Sequence, residues 1–549
     1  MAPTGTRVGF AGLGAMGFGM AFNLLENGIA IVAFDLNPSV LERFTAIGGS
    51  VSKTVAEASK GQQVFLVMVA TPGQVDNLVF SEAGLASSLP MNAALCLLST
   101  LPPRYICGLP ARLAEKGRAD IRLLDCPVSG GVVGAEAGTL SIMIGGERHV
   151  FDEVKPILQA MSAPDRLFYC GALGSGSTLK MLNQLLAGAH IVVAAEVLSF
   201  AKCLGLSTRE THRTVMNSVS SSWIFGDRGK LMLDADWTPR SAVTIFTKDL
   251  GIVTSSAKEA GFRCPIASAA LEAFQDRLAC GHGHDDDSSV VCNYEQTTGN
   301  PVREHETPVS PPKSPDRTHT GVTPSKLVGM SVIPGHNDDP PSFAIDVSRD
   351  LKADDPVLAV LYGPESATEA TLQEALDGSV IAIHGFRSPK EARTIFIFSA
   401  EDNDLQQAVA SVMPRWFNAV PVSGPIGSAS AIHICIRLGS LVHLAAAAEC
   451  YGLARTQGTS IESVYRLIAG AAGSSHQFNV SFQDMARRDF KPKSESGFDT
   501  LQKAIADLHS IKKVAESLQF PGKLLETSLE VFEGASLKLN KTEASVAAR

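Results

Sequence analysis

Short apolar runs alternate with longer helical stretches through the first third of the chain. Five of these runs are bounded by turn residues and are too short for helices, so they predict buried strands at residues 8–11, 29–34, 64–69, 94–98 and 122–125. Such alternation is typical of parallel βαβ units. The pattern therefore predicts an α/β domain over residues 1–170.

After residue 170 the pattern changes to long helical stretches. Residues 177–204 are rich in Ala and Leu and contain no proline, and we expect an all-helical domain over residues 171–294. Nine of the chain's 29 prolines then lie between residues 301 and 341, among Ser, Thr, His and charged residues. Because this mixture buries little apolar surface, we expect a disordered linker over residues 295–345.

The remainder of the chain contains an internal repeat. Residues 174–207 and 427–460 align without a gap at an offset of 253, and 11 of the 34 positions are identical. Two unrelated Ala-rich helices are the alternative interpretation. We predict a truncated Rossmann-like α/β copy over residues 346–418 and a degenerate copy of the helical domain over residues 419–549.

The charge balance narrows the range of partners. The 549 residues include 47 basic and 56 acidic residues, which gives a net charge of -9, so we expect no nucleic-acid or membrane partner. The two longest uncharged stretches, residues 83–103 and 416–436, contain prolines and polar residues and are not predicted to span a membrane. The ten cysteines form no CxxC pair and no dense framework, which indicates a cytoplasmic protein.

A glycine-rich loop joins the first predicted strand to a helical stretch. Gly12, Gly14 and Gly17, with Ala15 and Met16 between them, have the GxGxxG spacing in the strand, turn and helix context that a dinucleotide site requires. The glycines permit a tight turn, an approach of the pyrophosphate and close packing of helix on strand. The alternative is a purely structural glycine turn.

The second predicted strand ends at Asp35, where a carboxylate can accept hydrogen bonds from the adenosine ribose hydroxyls. The same charge would repel the 2'-phosphate of NADP. Because Leu36 and Asn37 follow instead of an arginine, the sequence favours NAD as the cofactor.

Two further motifs carry candidate substrate chemistry. Ser129, Gly130 and Gly131 follow a strand end and present backbone amides to an anion, although an ordinary tight turn has the same sequence. Lys180 and Asn183, with Gln184, place three polar groups on one face of an apolar helix. A poorly solvated lysine has a lowered pKa that suits acid/base chemistry, whereas an exposed one is an ordinary surface charge.

Four ordered motifs resemble the signatures of the β-hydroxyacid dehydrogenases, the family that includes 3-hydroxyisobutyrate dehydrogenase. They are residues 12–17, residues 125–131 with 138–140, residues 174–184 and residues 248–250. Residues 174–195 look most like the family members that act on L-threonate. The resemblance implies an NAD-binding Rossmann domain of the 6-phosphogluconate dehydrogenase type, followed by an all-α helical domain.

The resemblance also implies roles for individual residues. Lys180 would be the catalytic acid/base residue. The implied substrate contacts are Ser129, Gly130, Gly131, Asn183 and Gln184. The implied cofactor contacts are Gly12, Gly14, Ala15, Met16, Gly17, Asp35, Val69, Thr100 and Lys248. Some members that act on threonate carry His at the position of Asn183, which leaves the exact acid open.

These expectations define an activity, the NAD-dependent oxidation of a small hydroxy acid, specifically a four-carbon sugar acid such as L-threonate. One alternative is an NADH-dependent reductase of aldehyde acids of the tartronate or succinic semialdehyde type, or a 3-hydroxyisobutyrate dehydrogenase. Another is a non-catalytic dinucleotide-binding scaffold. No metal site is expected, because residues 282–287, although rich in His and Asp, have the polarity of a solvated loop.

The second copy lacks the residues that would carry chemistry. At the offset of 253, His433, Ile436 and Arg437 occupy the positions of the lysine, asparagine and glutamine, and the second half has no GxGxxG fingerprint. Since family members pair through their helical domains, we hypothesise that residues 420–540 replace a partner subunit and form an internal pseudo-dimer. Further homo-oligomerisation stays open.

Overall fold

The computed structural model describes residues 7–304, 428–488 and 496–547 together with six short strands in the intervening region. The first domain is built on one nine-stranded sheet. Its strands are β1 (Arg7–Ala11), β2 (Ala30–Phe34), β3 (Ser50–Val51), β4 (Val64–Val67), β5 (Ala94–Leu97), β6 (Arg122–Asp125), β7 (Val128–Ser129), β8 (Leu140–Gly146) and β9 (Ser162–Gly171). Its helices are α1 (Gly17–Glu26), α2 (Pro38–Ala46), α3 (Val55–Ser59), α4 (Pro72–Phe80), α5 (Leu85–Ser88), α6 (Pro103–Glu115), α7 (Gly131–Ala137) and α8 (Arg148–Gln159).

The strand order is β3-β2-β1-β4-β5-β6-β8-β7, with β9 paired to β8. The first six strands are parallel and have the 3-2-1-4-5-6 order of a Rossmann fold. The carboxyl ends of β1 and β4 lie side by side where this order reverses, which is where open α/β sheets bind dinucleotides. All five predicted strands are present, so the α/β fold class is confirmed.

The second domain is all-helical, as predicted. It consists of α9 (Ser175–Cys203), α10 (Thr208–Met216), α11 (Trp223–Asp234), α12 (Val243–Glu259), α13 (Pro265–Ala279), a short 3-10 helix (Asp287–Val290) and α14 (Val291–Thr298). Helix α9 runs through the centre of the core, with almost every residue buried from its first turn to its last. Polar side chains on α9 therefore lie inside the protein.

Two predictions from composition are wrong in part. Residues 295–304 are not linker: α14 extends to Thr298, Val302 is buried, and the Glu304 carboxylate accepts hydrogen bonds from the Ser207 hydroxyl (2.8 Å) and the Thr208 N–H (2.9 Å) at the start of α10. Within the described residues after 304, the linker segment contributes only β10 (Ser331–Val332) and β11 (Phe343–Ala344), and the remaining residues to 345 lie outside the described part of the chain.

The acidic segment around residue 286 is the second error, since it is not a solvated loop. Asp286 and Asp287 are fully buried, and Asp287 forms an ion pair with Arg228 at 2.5 Å. A buried arginine neutralises the acidic charges, which the local composition could not reveal.

The described strands of the second half form a separate four-stranded sheet. They are β12 (Val357–Val360), β13 (Val380–Arg387), β14 (Thr394–Ser399) and β15 (Asn418–Pro421). Their successive pairings are parallel, antiparallel and parallel. The path β5-β6-β8-β9 in the first sheet has the same sequence of directions.

Five helices follow this sheet, α15 (Ser428–Thr456), α16 (Ile461–Ile468), α17 (His476–Arg488), α18 (Ser496–Ser517) and α19 (Lys523–Ala547). Helix α15 packs along α9, and the two share one hydrophobic core. His190 on α9 and His443 on α15 meet edge to face with ring centroids 4.4 Å apart. These two histidines are separated in sequence by the repeat offset of 253.

Two reciprocal contacts join the halves. The Glu196 carboxylate on α9 accepts hydrogen bonds from the N–H groups of Leu524 and Leu525 at the start of α19, both at 2.9 Å. Glu449 on α15 accepts equivalent bonds, also at 2.9 Å, from the first turn of α13. Near Ser222 the backbone pairs with the segment around Ser475 in an isolated antiparallel bridge.

Two helices of the described residues, Ser175–Cys203 and Ala431–Thr456, are long and apolar enough to cross a membrane by length and composition. Their most apolar windows are 100% and 67% buried within the protein, respectively. This burial is typical of the paired core helices of a globular protein.

Candidate active site

The glycine loop after β1 has the shape that a dinucleotide requires. Gly12 has a φ of +96°, and a Cβ there would lie 2.1 Å from the Met68 carbonyl oxygen. A Cβ at Gly17 would lie 1.8 Å from the Gly12 carbonyl oxygen. No atom lies within 4 Å of the Cβ position at Gly14, so the loop is open there. The first and third glycines are needed for packing and the middle one for access.

Helix α1 begins directly behind this loop. Met16 occupies the N-cap position without a side-chain hydrogen bond, and the first turn contains no acidic residue. Gly14 and Ala15 are exposed. The helix N-terminus therefore presents backbone donors and a positive dipole end to an anion, and these residues fit the pyrophosphate of a nicotinamide dinucleotide.

Asp35 lies at the end of β2, beside the glycine loop. Its Oδ2 accepts a hydrogen bond from the Leu13 N–H at 2.6 Å, and its Oδ1 accepts one from the Asn37 N–H at 2.8 Å. The side chain is half-buried. The carboxylate is thus held at the edge of the loop, next to the place where a ribose would follow the pyrophosphate.

Lys248 joins the helical domain to the sheet. From α12, its Nζ donates to the carbonyl oxygens of Thr100 (3.3 Å) and Ala70 (3.4 Å), which follow β5 and β4. Val69 lies in the same region, because its Cγ1 is 3.1 Å from the Cβ position at Gly12. The predicted cofactor residues Val69, Thr100 and Lys248 therefore converge on the carboxyl edge of the sheet.

The start of α9 is anchored by Asp125, a residue to which the sequence assigned no role. The Asp125 carboxylate at the end of β6 accepts hydrogen bonds from the N–H groups of Gly174 (3.0 Å) and Ser177 (2.6 Å). Burial raises the pKa of this carboxyl group, while the two N–H donors oppose that shift. Asp125 thereby fixes the helix that carries Lys180 relative to the sheet that carries the glycine loop.

Lys180 lies in the second turn of α9 and is buried, with a relative exposure of 7%. Within the described residues no hydrogen bond or ion pair engages its Nζ. Burial lowers the pKa of Lys180 to about 8; the charge of Lys248 lowers it further, and that of Asp249 opposes the shift. This lysine is therefore not a surface charge and can exchange a proton near neutral pH.

A buried hydrogen-bonded chain runs beside Lys180. The Asn183 Nδ2 donates to the Gln184 Oε1 at 3.0 Å, and the Gln184 Nε2 donates to the Asp249 Oδ2 at 2.6 Å. Asp249 also pairs with the Lys248 ammonium at 3.1 Å. The sequence interpretation placed Asp249 in the motif of residues 248–250 but assigned it no role, although an acidic residue in an apolar helix next to Lys248 was a usable signal.

This hydrogen-bonded chain occupies polar groups of two predicted substrate contacts, Asn183 and Gln184. Both polar ends of Gln184 are engaged within the protein, and Asn183 is fully buried with its Oδ1 bound by the Gly473 N–H at 3.1 Å. Gln184 therefore joins Asn183 to Asp249, and each of the two amide nitrogens keeps one hydrogen without a partner among the described residues. Their positions favour a role in holding the helix face that carries Lys180.

The predicted carboxylate-binding loop follows β7. Gly130 and Gly131 have φ values of +136° and +62°, and no atom lies within 4 Å of the Cβ position at Gly131. Ser129 is half-buried. The loop is open, but no hydrogen bond among the described residues joins it to Lys180. The described residues also contain no group of three or more His, Cys, Asp or Glu side chains able to hold a metal ion.

Comparison with known proteins agrees with this arrangement. Residues 7–173 match the family model of the NAD-binding domain of 6-phosphogluconate dehydrogenase. Residues 174–294 match the model described as the NAD-binding domain of NADP-dependent 3-hydroxyisobutyrate dehydrogenase. The boundary between the two matched ranges falls at Gly174, whose N–H donates to Asp125.

Curated relatives cover the same extent. The chain is 36% identical over 286 residues to L-threonate dehydrogenase of Cupriavidus necator, which is 52% of this chain and 95% of that protein. It is 36% identical over 287 residues to L-threonate dehydrogenase of Escherichia coli, 52% of this chain and 93% of that protein.

A solved structure described as 3-hydroxyisobutyrate dehydrogenase from Salmonella typhimurium is 34% identical and covers 52% of this chain and 99% of its own, with a TM-score of 0.48. The glycine loop, the anchored helix and the two adjoining family models lead to one assignment. The chain belongs to the β-hydroxyacid dehydrogenase family of oxidoreductases, which act on CH–OH groups with a nicotinamide dinucleotide.

Proposed function

We propose that this protein oxidises a small hydroxy acid with NAD, and that a four-carbon sugar acid such as L-threonate is its substrate. The observation that carries the proposal is Lys180, a buried lysine whose Nζ has no hydrogen bond or ion pair among the described residues and whose pKa burial lowers to about 8. Two L-threonate dehydrogenases, each 36% identical to this chain over about half of its length, support the choice of substrate.

Each group of residues has a separate role in the proposed reaction. The nicotinamide ring, when bound, supplies the hydride acceptor. In its neutral form Lys180 takes the proton of the substrate hydroxyl, and Asp125 and the Asn183–Gln184–Asp249 chain keep the lysine in place. Ser129 with the two glycine amides receives the substrate carboxylate. Lys248 closes over the cofactor.

Asp35 supports NAD in preference to NADP. Its carboxylate is already held beside the glycine loop, where it accepts from ribose hydroxyls and repels a 2'-phosphate. A cytoplasmic location is supported by the ten cysteines, all of which are free thiols.

The second half is proposed as a degenerate copy that pairs with the first as an internal pseudo-dimer. The reciprocal bonds of Glu196 and Glu449 support this, as does the contact of His190 with His443, because each pair is related by the repeat offset. The matching strand directions of the two sheets support a truncated Rossmann-like copy.

A substrate panel tests the activity. L-threonate, D-erythronate, glycerate and 3-hydroxyisobutyrate are each offered with NAD and with NADP, and NADH or NADPH formation is followed by absorbance. We expect the largest kcat/KM for L-threonate with NAD. A larger kcat/KM with 3-hydroxyisobutyrate or glycerate would identify that acid as the substrate in place of L-threonate. Absence of turnover with every acid would favour the dinucleotide-binding scaffold.

The pH dependence of the same reaction tests the role of Lys180. Because the base must be neutral, kcat/KM for oxidation should rise about tenfold per pH unit below the lysine pKa and level off above it. For reduction of the corresponding carbonyl acid the ammonium is required, so the profile should fall above that pKa. An oxidation profile that is flat from pH 6 to 9 would contradict the assignment.

A further inference from the structure

The second half donates a hydrogen bond directly into the proposed active site. The backbone N–H of Gly473, in the turn before α17, donates to the Asn183 Oδ1 at 3.1 Å, and both groups are buried. The turn is held on both sides: the Trp223 N–H donates to the Ser474 carbonyl oxygen at 3.0 Å, and the His476 N–H donates to that of Ser221 at 2.9 Å. Gly473 is therefore a fixed donor.

This donor selects one orientation of the Asn183 amide. With Oδ1 directed at Gly473, the Nδ2 group donates to Gln184, which continues the chain to Asp249 and Lys248. The flipped amide would place Nδ2 against the Gly473 N–H and Oδ1 against the Gln184 Oε1, with repulsion at both ends. Gly473 at one end and the Asp249 carboxylate at the other thus fix the same direction for the hydrogen-bonded chain beside Lys180.

The contribution runs in one direction only. At the repeat offset, Asn183 corresponds to Ile436 and Gly473 corresponds to Ser220. Ile436 has no side-chain acceptor, so Ser220 of the first half cannot make the equivalent bond. The second half therefore has no polar side chain at the position of Asn183, but its turn at Gly473 binds Asn183 of the first half.

We propose that Gly473 is a positioning residue for the dehydrogenase reaction, through which the second half completes the active site of the first within one chain. The inference rests on the proposed roles of Lys180 and Asn183. Asn183 held in a single orientation keeps the α9 face around Lys180 preorganised for proton transfer. This role of Gly473 would explain why turnover needs the second half although that half lacks its own catalytic residues.

Close packing makes Gly473 testable. A Cβ at Gly473 would lie 3.0 Å from the Leu186 Cβ and 3.1 Å from the Asn183 Oδ1, so Gly473→Ala requires the turn or the Asn183 side chain to shift by a few tenths of an ångström. Gly470, three residues earlier, is the matched control, because the three atoms nearest to a Cβ there all belong to the flexible guanidinium of Arg166, the first of them 2.9 Å away. Gly470→Ala is therefore expected to keep wild-type turnover.

The experiment measures kcat, the Kd of NAD and the thermal midpoint for Gly473→Ala, Gly470→Ala and Asn183→Ala, and kcat for the double variant of Gly473 and Asn183. Gly473→Ala should lower kcat roughly 10- to 100-fold with the NAD Kd and the midpoint close to those of Gly470→Ala. The double variant should be no slower than Asn183→Ala, since Gly473 acts through Asn183.

The outcomes separate the two proposals. Wild-type kcat in Asn183→Ala would overturn the proposed site. An impaired Asn183→Ala with a Gly473→Ala kcat equal to that of Gly470→Ala, or additive losses in the double variant, would overturn only the inference about Gly473. If Gly473→Ala does not fold, amide hydrogen exchange decides: exchange at residues 471–475 must speed up in Asn183→Ala, and unchanged exchange would refute the contact.

Discussion

The long central helices of the two halves, α9 and α15, agree at some functionally proposed positions and differ at others. The positions of Lys180, Asn183 and Gln184 are occupied in α15 by a histidine, an isoleucine and an arginine. The positions of Glu196 and His190 are unchanged. The shared residues lie at contacts between the two halves, and the residues that differ are those of the proposed active site. Under the proposed pairing and catalysis, the two functions place separate demands on the same helix.

The ion pair of Arg437 with Asp507 illustrates the change. In the first half Gln184, at the repeat offset from Arg437, and Asp249, which like Asp507 precedes a leucine, form a hydrogen bond within the chain beside Lys180. In the second half an arginine neutralises the aspartate directly. The second sheet shows a similar difference. Its described strands follow the directions of the path β5-β6-β8-β9 in the first sheet, which excludes β1 and its glycine loop.

The largest expected effect comes from exchanging Lys180 for a side chain that carries no proton. Lys180→Met should reduce kcat for the hydroxy acid by at least about 1,000-fold, because the buried site then has no group to accept the hydroxyl proton. NAD should still bind, since the glycine loop is untouched. Steady-state kinetics and a fluorescence titration of NAD check both statements.

His433→Gln, at the equivalent position of α15, is the matched variant in the second half. We expect its kcat to stay within about twofold of wild type. A large loss of turnover in His433→Gln, with folding intact, would show that the second half contributes its own acid/base group and would break the comparison of α9 with α15.

The next effect concerns the cofactor. Asp35→Asn removes the charge that repels a 2'-phosphate, so the preference for NAD over NADP should fall by roughly 10- to 100-fold in kcat/KM.

Calorimetry should give one NAD per chain in the wild type. A second equivalent of NAD, unaffected by Asp35→Asn, would place a dinucleotide site in the second half.

Much of this architecture could be predicted from the sequence because its signals are local. The strands are short apolar runs, the glycine spacing requires a turn, and the resemblance over residues 12–250 supplies the order of the motifs. Lys180 is buried, which is the alternative that its neighbouring motifs favoured, whereas the lysine alone would have been interpreted as a surface charge.

The remainder depends on contacts between distant residues. Asp125 and Asp249 are single acids whose roles appear only when their partners on α9 are known. Glu304 lies in a stretch whose composition is polar and proline-rich, and its carboxylate is held by donors at the start of α10. Gly473 acts through its backbone N–H, and no side-chain pattern reports such a donor.

The smallest expected effect tests the pairing of the halves through Glu196 and Glu449. Burial raises the pKa of each carboxyl group to about 7, against the opposing effect of the helix N–H donors. The folded state therefore favours the protonated acids. Their contribution to stability is complete below the unfolded pKa of about 4.5 and is lost as the pH rises through about 7.

Glu196→Gln and Glu449→Gln remove this titration and leave one helix N–H in each pair facing an amide nitrogen. At pH 5 each variant should be less stable than wild type by about 1–2 kcal/mol, from the lost hydrogen bond. Between pH 5 and 8 the difference should shrink, because only the wild type incurs the cost of ionising the buried acid. Denaturant unfolding of both variants at several pH values measures this trend, and the titration of the buried histidines cancels in the comparison with wild type.

A similar change of the stability difference with pH in the two variants would support the pseudo-symmetric pairing. A stability difference that widens with pH in either variant would contradict it.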